Sequence, residues 1–173
     1  MTATRTRPSR TAVEREQLLG WYDLQRGIVR MKCEGLSEED AHRVVVPTSP
    51  LMTVAGVLSH LRWVEELWFR EVLLGEPGTG RGFGPDAQGV EDAEFRVEGL
   101  PIARLLEEYD EECARSDATI AAFSLDDTGS TAIHPVGEAT LRWILLHVLE
   151  ETARHAGHLD LIREMVDGDT GYY

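Results

Sequence analysis

The chain has 173 residues, 42% hydrophobic and 28% charged, the composition of one ordinary globular domain and not of a disordered or fibrous chain. Thirty-one Asp and Glu outnumber 17 Lys and Arg, giving a formal charge of −14, so a phosphate backbone or an anionic membrane surface would repel it, and no basic patch offsets this. No apolar run approaches the roughly 18 residues of a membrane helix. Cys33 and Cys113 lie far apart, and Met1 to Arg10 holds no apolar leader, which predicts a reduced, cytoplasmic protein with neither nucleic-acid nor membrane partners.

Residues 1–10 are polar and basic and read as a flexible arm, leaving 11–173 as a single domain. Thr11 and Glu14 have the spacing of a capping box. Leu18, Trp21, Gln25, Ile28 and Met31 then recur at three- and four-residue steps, predicting an amphipathic helix over 11–34 that Gly35 ends. Ser37 to Asp40 can cap one short turn, and Val44 to Pro47 reads as an extended link. A second helix opens at Ser49-Pro50 or at Thr53, carries Val54, Val57, Leu61, Val64 and Trp68 on one side, and reaches Leu74 before Gly75.

Between Gly75 and Gly99 lie five further glycines and two prolines, the signature of a long loop. Gly78, Gly80, Gly82 and Gly84 alternate there without a phosphate-loop lysine, so no nucleotide site is implied. Pro101 suits the start of a third helix with Ile102, Leu105, Leu106, Tyr109, Cys113 and Ile120 inward; Glu107-Glu108 and Asp110-Glu111-Glu112 would be its wet side. Phe123 to Gly137 reads as a second loop, and a fourth helix starts at Glu138 or Thr140 and runs to about Val166. Four long helices without strand periodicity or repeats predict an all-α four-helix bundle whose long loops allow crossover connections. His42 and His134 are expected at the surface, Cys33 and Cys113 as small core residues, and Trp63, Trp68 and Trp143 in the core or an interface.

The fourth helix carries His147, Glu151, His155 and His158, spaced four, four and three. At about 100° per residue these fall within about 80° of one another and form one ridge. Leu141, Ile144, Val148, Leu159, Ile162 and Val166 centre the apolar face slightly to one side, so His155 and then Glu151 point furthest inward. A carboxylate pushed into a bundle needs its charge compensated, and a divalent cation would do so. His60, flanked by Trp63, Val64 and Leu67 on the second helix, offers a third donor. His60, Glu151 and His155 would make a two-histidine, one-carboxylate metal site with open positions, zinc first and nickel, manganese or iron as alternatives. A metal-free Glu–His hydrogen-bond network is the competing reading of the same residues.

Leu58 to Glu65 with Trp68-Phe69, and Leu141 to His147 running into Glu150 to Asp160, with Asp167-Gly168 after them, resemble the DinB/YfiT-like metalloenzyme family and its actinobacterial mini-circle-protein subgroup. The resemblance covers nearly the whole chain. It implies a four-helix bundle, frequently a homodimer, with a metal between the second and last helices. The related mycothiol-dependent maleylpyruvate isomerase branch holds zinc with His, Glu and His, which His60, Glu151 and His155 match. His158 gains no ligand role and is left to touch a ligand or the substrate. The resemblance further implies S-transferase-like or isomerase-like chemistry on a small electrophile with a low-molecular-weight thiol such as mycothiol, because a bound metal deprotonates a coordinated thiol. The alternative is a non-enzymatic, metal-binding or stress-response dimeric bundle. Arg154, about 100° around the helix from His155, is expected to face either an anionic substrate or solvent.

Overall fold

The computed structural model describes residues 6–78, 91–129 and 137–171; the expectations for His134 and for Gly80, Gly82 and Gly84 fall outside them. Over the described residues the fold is all-α. The helices are α1 (Glu14–Cys33), α2 (Glu38–Ala41), α3 (Val54–Glu65), α4 (Ile102–Ala122) and α5 (Leu141–Asp167). Extended pairing among these residues is limited to one isolated bridge, Thr128 to Thr140. Among the described residues no helix is long and apolar enough to cross a membrane.

Local chemistry sets the ends. Thr53 accepts a hydrogen bond from the Gly56 N–H (3.0 Å) and Thr140 from the Trp143 N–H (3.3 Å), each satisfying a donor that the first helical turn leaves free. Of the two openings the sequence offers for the second helix, Thr53 is the one used. Gly168 takes up the left-handed conformation just past α5, with φ +81°, where an L side chain would be strained. The first helix departs from expectation at its start: Val13 occupies the cap position without a side-chain bond. Thr11 instead gives its backbone N–H to Ser9 Oγ, so the predicted capping box does not form.

α3 is buried at every position. It packs against α1, α4, α5 and a three-residue 3-10 turn, Ala93–Phe95, and thereby forms the axis of the fold. Leu24, Val29, Val57, Leu61, Leu105 and Leu159 fill one end of the core. Tyr22, Trp68, Phe69, Leu141, Ile144 and Val148 fill the other. Beyond Glu65 the helix continues without a break but with π-type turns over Glu66–Leu74, a geometry the apolar spacing did not reveal.

The inward face of α1 also differs from its apolar stripe. Trp21 is 39% exposed, whereas Arg26 and Lys32 are buried. Both cations lie inside because partners wait there: Arg26 Nε and Nη2 donate to the two oxygens of Glu65 at 2.8 and 2.6 Å, and Lys32 Nζ sits 3.0 Å from Asp160 Oδ1. Tyr22 donates to the same Glu65 carboxylate. On α4, Glu112 breaks the expected wet side in the same way, being buried in an ion pair with Arg115.

Candidate metal centre

α3 and α5 bring His60, Glu151 and His155 together, with one donor atom from each lying within 4.8 Å of the others. Glu151 Oε1 is the hub, 3.3 Å from Nε2 of His60 and 3.3 Å from Nε2 of His155. The helical i, i+4 step stacks Glu151 and His155 on one face of α5, and the enclosure of α3 aims His60 across the gap. The two rings are 4.7 Å apart.

The donor set suits a divalent cation. A tetrahedral ion with bonds of about 2.0–2.1 Å has donor-to-donor edges of about 3.4 Å; the two separations to Glu151, at 3.3 Å, are close to this, and all three donors lie within 4.8 Å of one another. Without an ion, both imidazoles can donate Nε2–H to the one carboxylate oxygen, so the same geometry accommodates the hydrogen-bonded network. These bonds, from His155 first and His60 second, hold the Glu151 carboxyl far below the usual carboxylate range. Burial pulls the His60 imidazole below its ordinary value and keeps it neutral. An ionised carboxylate and a neutral imidazole are the protonation states that metal binding needs.

A second layer surrounds these groups. His158 Nδ1 lies 3.4 Å from His155 Nδ1, so His158 touches the ring of His155 on the side away from Glu151. Arg154 is exposed, pairs with Glu150, and donates to the outer oxygen of Glu151 at 3.3 Å. Phe95 stacks on His60 with ring centres 4.3 Å apart and planes 10° apart. Glu94, beside it, is buried with Oε1 3.9 Å from His60 Nδ1, and burial raises its pKa. Sequence reading took the whole stretch 75–99 as loop and missed both residues. The signal was an alanine, a carboxylate and an aromatic in sequence where glycine otherwise dominates.

Gly56 is what allows this turn to lie against α3. A Cβ there would stand 2.3 Å from the carbonyl oxygen of Leu51 and 3.1 Å from that of Phe95, closer than a methyl group can approach. Phe95 also lines a cavity of about 500 Å³ with Thr48, Ser49, Leu51, Met52 and Arg96. The aromatic ring therefore joins the surroundings of His60 to a space large enough for a small molecule.

His147 stands apart from the cluster. It stacks on Trp143 with ring centres 5.1 Å apart and meets Trp68 edge-on. Trp63 and Trp68 are buried as expected, but Trp143 is 48% exposed, because its position on α5 turns outward from the Ile144–Val148 side. His42 is half-exposed and bonds the carbonyl of Leu100 at 3.0 Å. Both cysteines are free. Burial pushes the Cys33 thiol up to about 12 and raises that of Cys113, which faces Glu65, well above its ordinary value.

The chain matches the family model described as Mycothiol-S-transferase over residues 17–168. No curated protein and no solved structure matches it.

Proposed function

We propose, from the premise that this chain belongs to the mycothiol-S-transferase family, that it joins the sulfur of a low-molecular-weight thiol, mycothiol foremost, to an electrophilic carbon beside a divalent cation held by His60, Glu151 and His155. The observation that carries this reading is the convergence of three donors from two distant stretches, with the Glu151 carboxyl held ionised and the His60 imidazole held neutral, as a cation requires. Imidazole and carboxylate donors favour zinc, with nickel, manganese and iron as alternatives. Such an ion supplies one thing: it lets a thiol lose its proton at neutral pH.

The chain's own groups do the rest. His60 and His155 lend Nε2 lone pairs, and Glu151 contributes the negative charge that offsets the cation. Neither Cys33 nor Cys113 competes as the nucleophile, since burial keeps both protonated, so the sulfur comes from a separate small molecule. The thiol gives up its S–H proton, a carbon–sulfur bond forms, and the electrophile's leaving group departs with its electron pair. The cavity at Phe95, Ser49 and Arg96 offers room for the electrophile or for the body of the thiol. Self-association as a homodimer in the cytoplasm belongs to the same reading, and sedimentation velocity checks the dimer.

Elemental analysis of wild-type, His60→Ala and His155→Ala protein, with circular dichroism as the folding control, tests the site. Metal loss from folded variants is the expected result, and unchanged occupancy removes those residues from it. Thiol consumption by metal-loaded protein with mycothiol and a bimane or dinitrophenyl electrophile tests the activity. A fully loaded chain that consumes no thiol with any of the four metals is a metal-binding bundle and not a transferase.

A further inference from the structure

We propose that Glu94 is a positioning residue that fixes the ring of His60 for cation binding by accepting a hydrogen bond from Nδ1–H of its imidazole. The inference rests on the metal site described above and adds a residue from outside the two helices that build it. Glu94 is 2% exposed, yet among the described residues its Oε2 has no hydrogen-bond partner. His60 Nδ1 is likewise buried and without a hydrogen bond. The other oxygen of Glu94, Oε1, stands 3.9 Å from Nδ1, too far for a hydrogen bond. A buried carboxylate with one oxygen unpartnered, beside an unpartnered buried imidazole nitrogen, calls for an explanation.

The tautomer supplies one. Without an ion, His60 gives its single proton to Glu151 through Nε2, at 3.3 Å, and Nδ1 presents a lone pair to Glu94. Two acceptors then oppose each other and stay apart. Once the Nε2 lone pair is committed to a cation, the one proton of the neutral ring must reside on Nδ1. The opposed acceptors become a donor and an acceptor, and the gap can close. A carboxylate on the far nitrogen sets the orientation of a metal-bound histidine and raises its basicity.

The local fold delivers Glu94 to this place. Ala93–Phe95 forms a 3-10 turn, and the Phe95 ring stacked on His60 at 4.3 Å restrains the imidazole from tilting away while the preceding residue meets its edge. His155 has a corresponding neighbour at its own Nδ1 in His158, so each histidine of the set has a polar group on the nitrogen opposite Glu151.

The test is zinc affinity of the full chain, measured by competition with a chromogenic chelator, for wild type, Glu94→Ala and the isosteric Glu94→Gln. Thermal melting of the zinc-free proteins is followed in parallel. Loss of this kind of outer partner weakens metal affinity by about 10- to 100-fold. We expect that loss in Glu94→Ala and a smaller one in Glu94→Gln, while zinc-free melting stays the same or rises because a buried oxygen without a partner has been removed. A purely structural Glu94 would instead lower melting and leave affinity alone, and that result overturns the inference. Equal affinity in all three proteins also overturns it while leaving His60, Glu151 and His155 standing. Wild type that binds no zinc overturns the inference together with the site on which it rests.

Discussion

Replacing Glu65 with alanine tests the polar network at the centre of the fold. Glu65 is 2% exposed and Arg26 is 6% exposed, and the guanidinium reaches both carboxylate oxygens at 2.8 and 2.6 Å. Removing one partner of such a pair strands a buried charge, which costs about 3–5 kcal/mol. The low end applies here, because Asp117 keeps a bond to Arg26 Nη1 at 2.6 Å and is exposed enough to follow it. A loss of about 3 kcal/mol corresponds to a fall in Tm of about 6–12 °C for a chain of this length. Urea unfolding and thermal circular dichroism in the presence of a chelator measure it without a contribution from metal binding. Glu65→Gln, which retains an acceptor, should lose less, and Glu65→Leu with Arg26→Met should recover much of the loss by removing both charges. A Glu65→Ala protein within about 1 kcal/mol of wild type would refute the assignment of Glu65 as the main counter-ion of Arg26, since that is the scale of an exposed pair.

Gly56→Ala should destabilise the chain by about 1–3 kcal/mol through overpacking against the Leu51 and Phe95 carbonyls, even though alanine is the better helix former; urea unfolding reads this, and a variant as stable as wild type contradicts it. Cys33, held protonated up to about pH 12 but ionising near pH 8.5 in the unfolded chain, contributes stability that is complete below pH 8.5 and lost as pH rises towards 12. Cys33→Ala should flatten that alkaline decline in Tm. At pH 8, iodoacetamide should leave Cys33 and Cys113 unmodified in folded protein and label both in urea, by intact-mass spectrometry; rapid labelling of the folded chain would return a protein thiol to consideration as the nucleophile.

The α5 half of the site was legible because helical periodicity alone puts Glu151 and His155 on one ridge. His60 was found on weaker ground. Its apolar flanks suggested an inward face, but every residue of α3 is buried, so those flanks did not distinguish it from its neighbours. The stripe Leu18, Trp21, Gln25, Ile28 and Met31 does not give the phase of α1: Tyr22, Leu24, Val29 and Cys33 are the buried apolar residues beside Ile28, and Arg26 and Lys32 enter the interior paired with Glu65 and Asp160, distant in sequence. Glu112, expected on the wet side of α4, is buried although its partner Arg115 is only three residues on, so the local charge pattern does not show which face the neighbouring elements cover. The π-type turns after Glu65 and the seat of Ala93–Phe95 on Gly56 depend on backbone packing that no local pattern encodes. Glu94 and Phe95 were missed for that reason, whereas the caps at Thr53 and Thr140 and the stop at Gly168 are local chemistry and were readable.

The enclosure of α3 divides the surroundings of the cluster into a part locked into the core and a part that packing leaves open to substitution. A substitution beside His60 on that helix must be accommodated by neighbours on several sides at once, so the imidazole is anchored by the same packing that keeps the protein folded. The ring opposite it, Phe95, comes from a three-residue turn that also borders open space with Ser49, Met52 and Arg96. Exchanges along that border can reshape what approaches the cluster while the anchor stays fixed, which makes it the place to begin if access to His60 is to be altered.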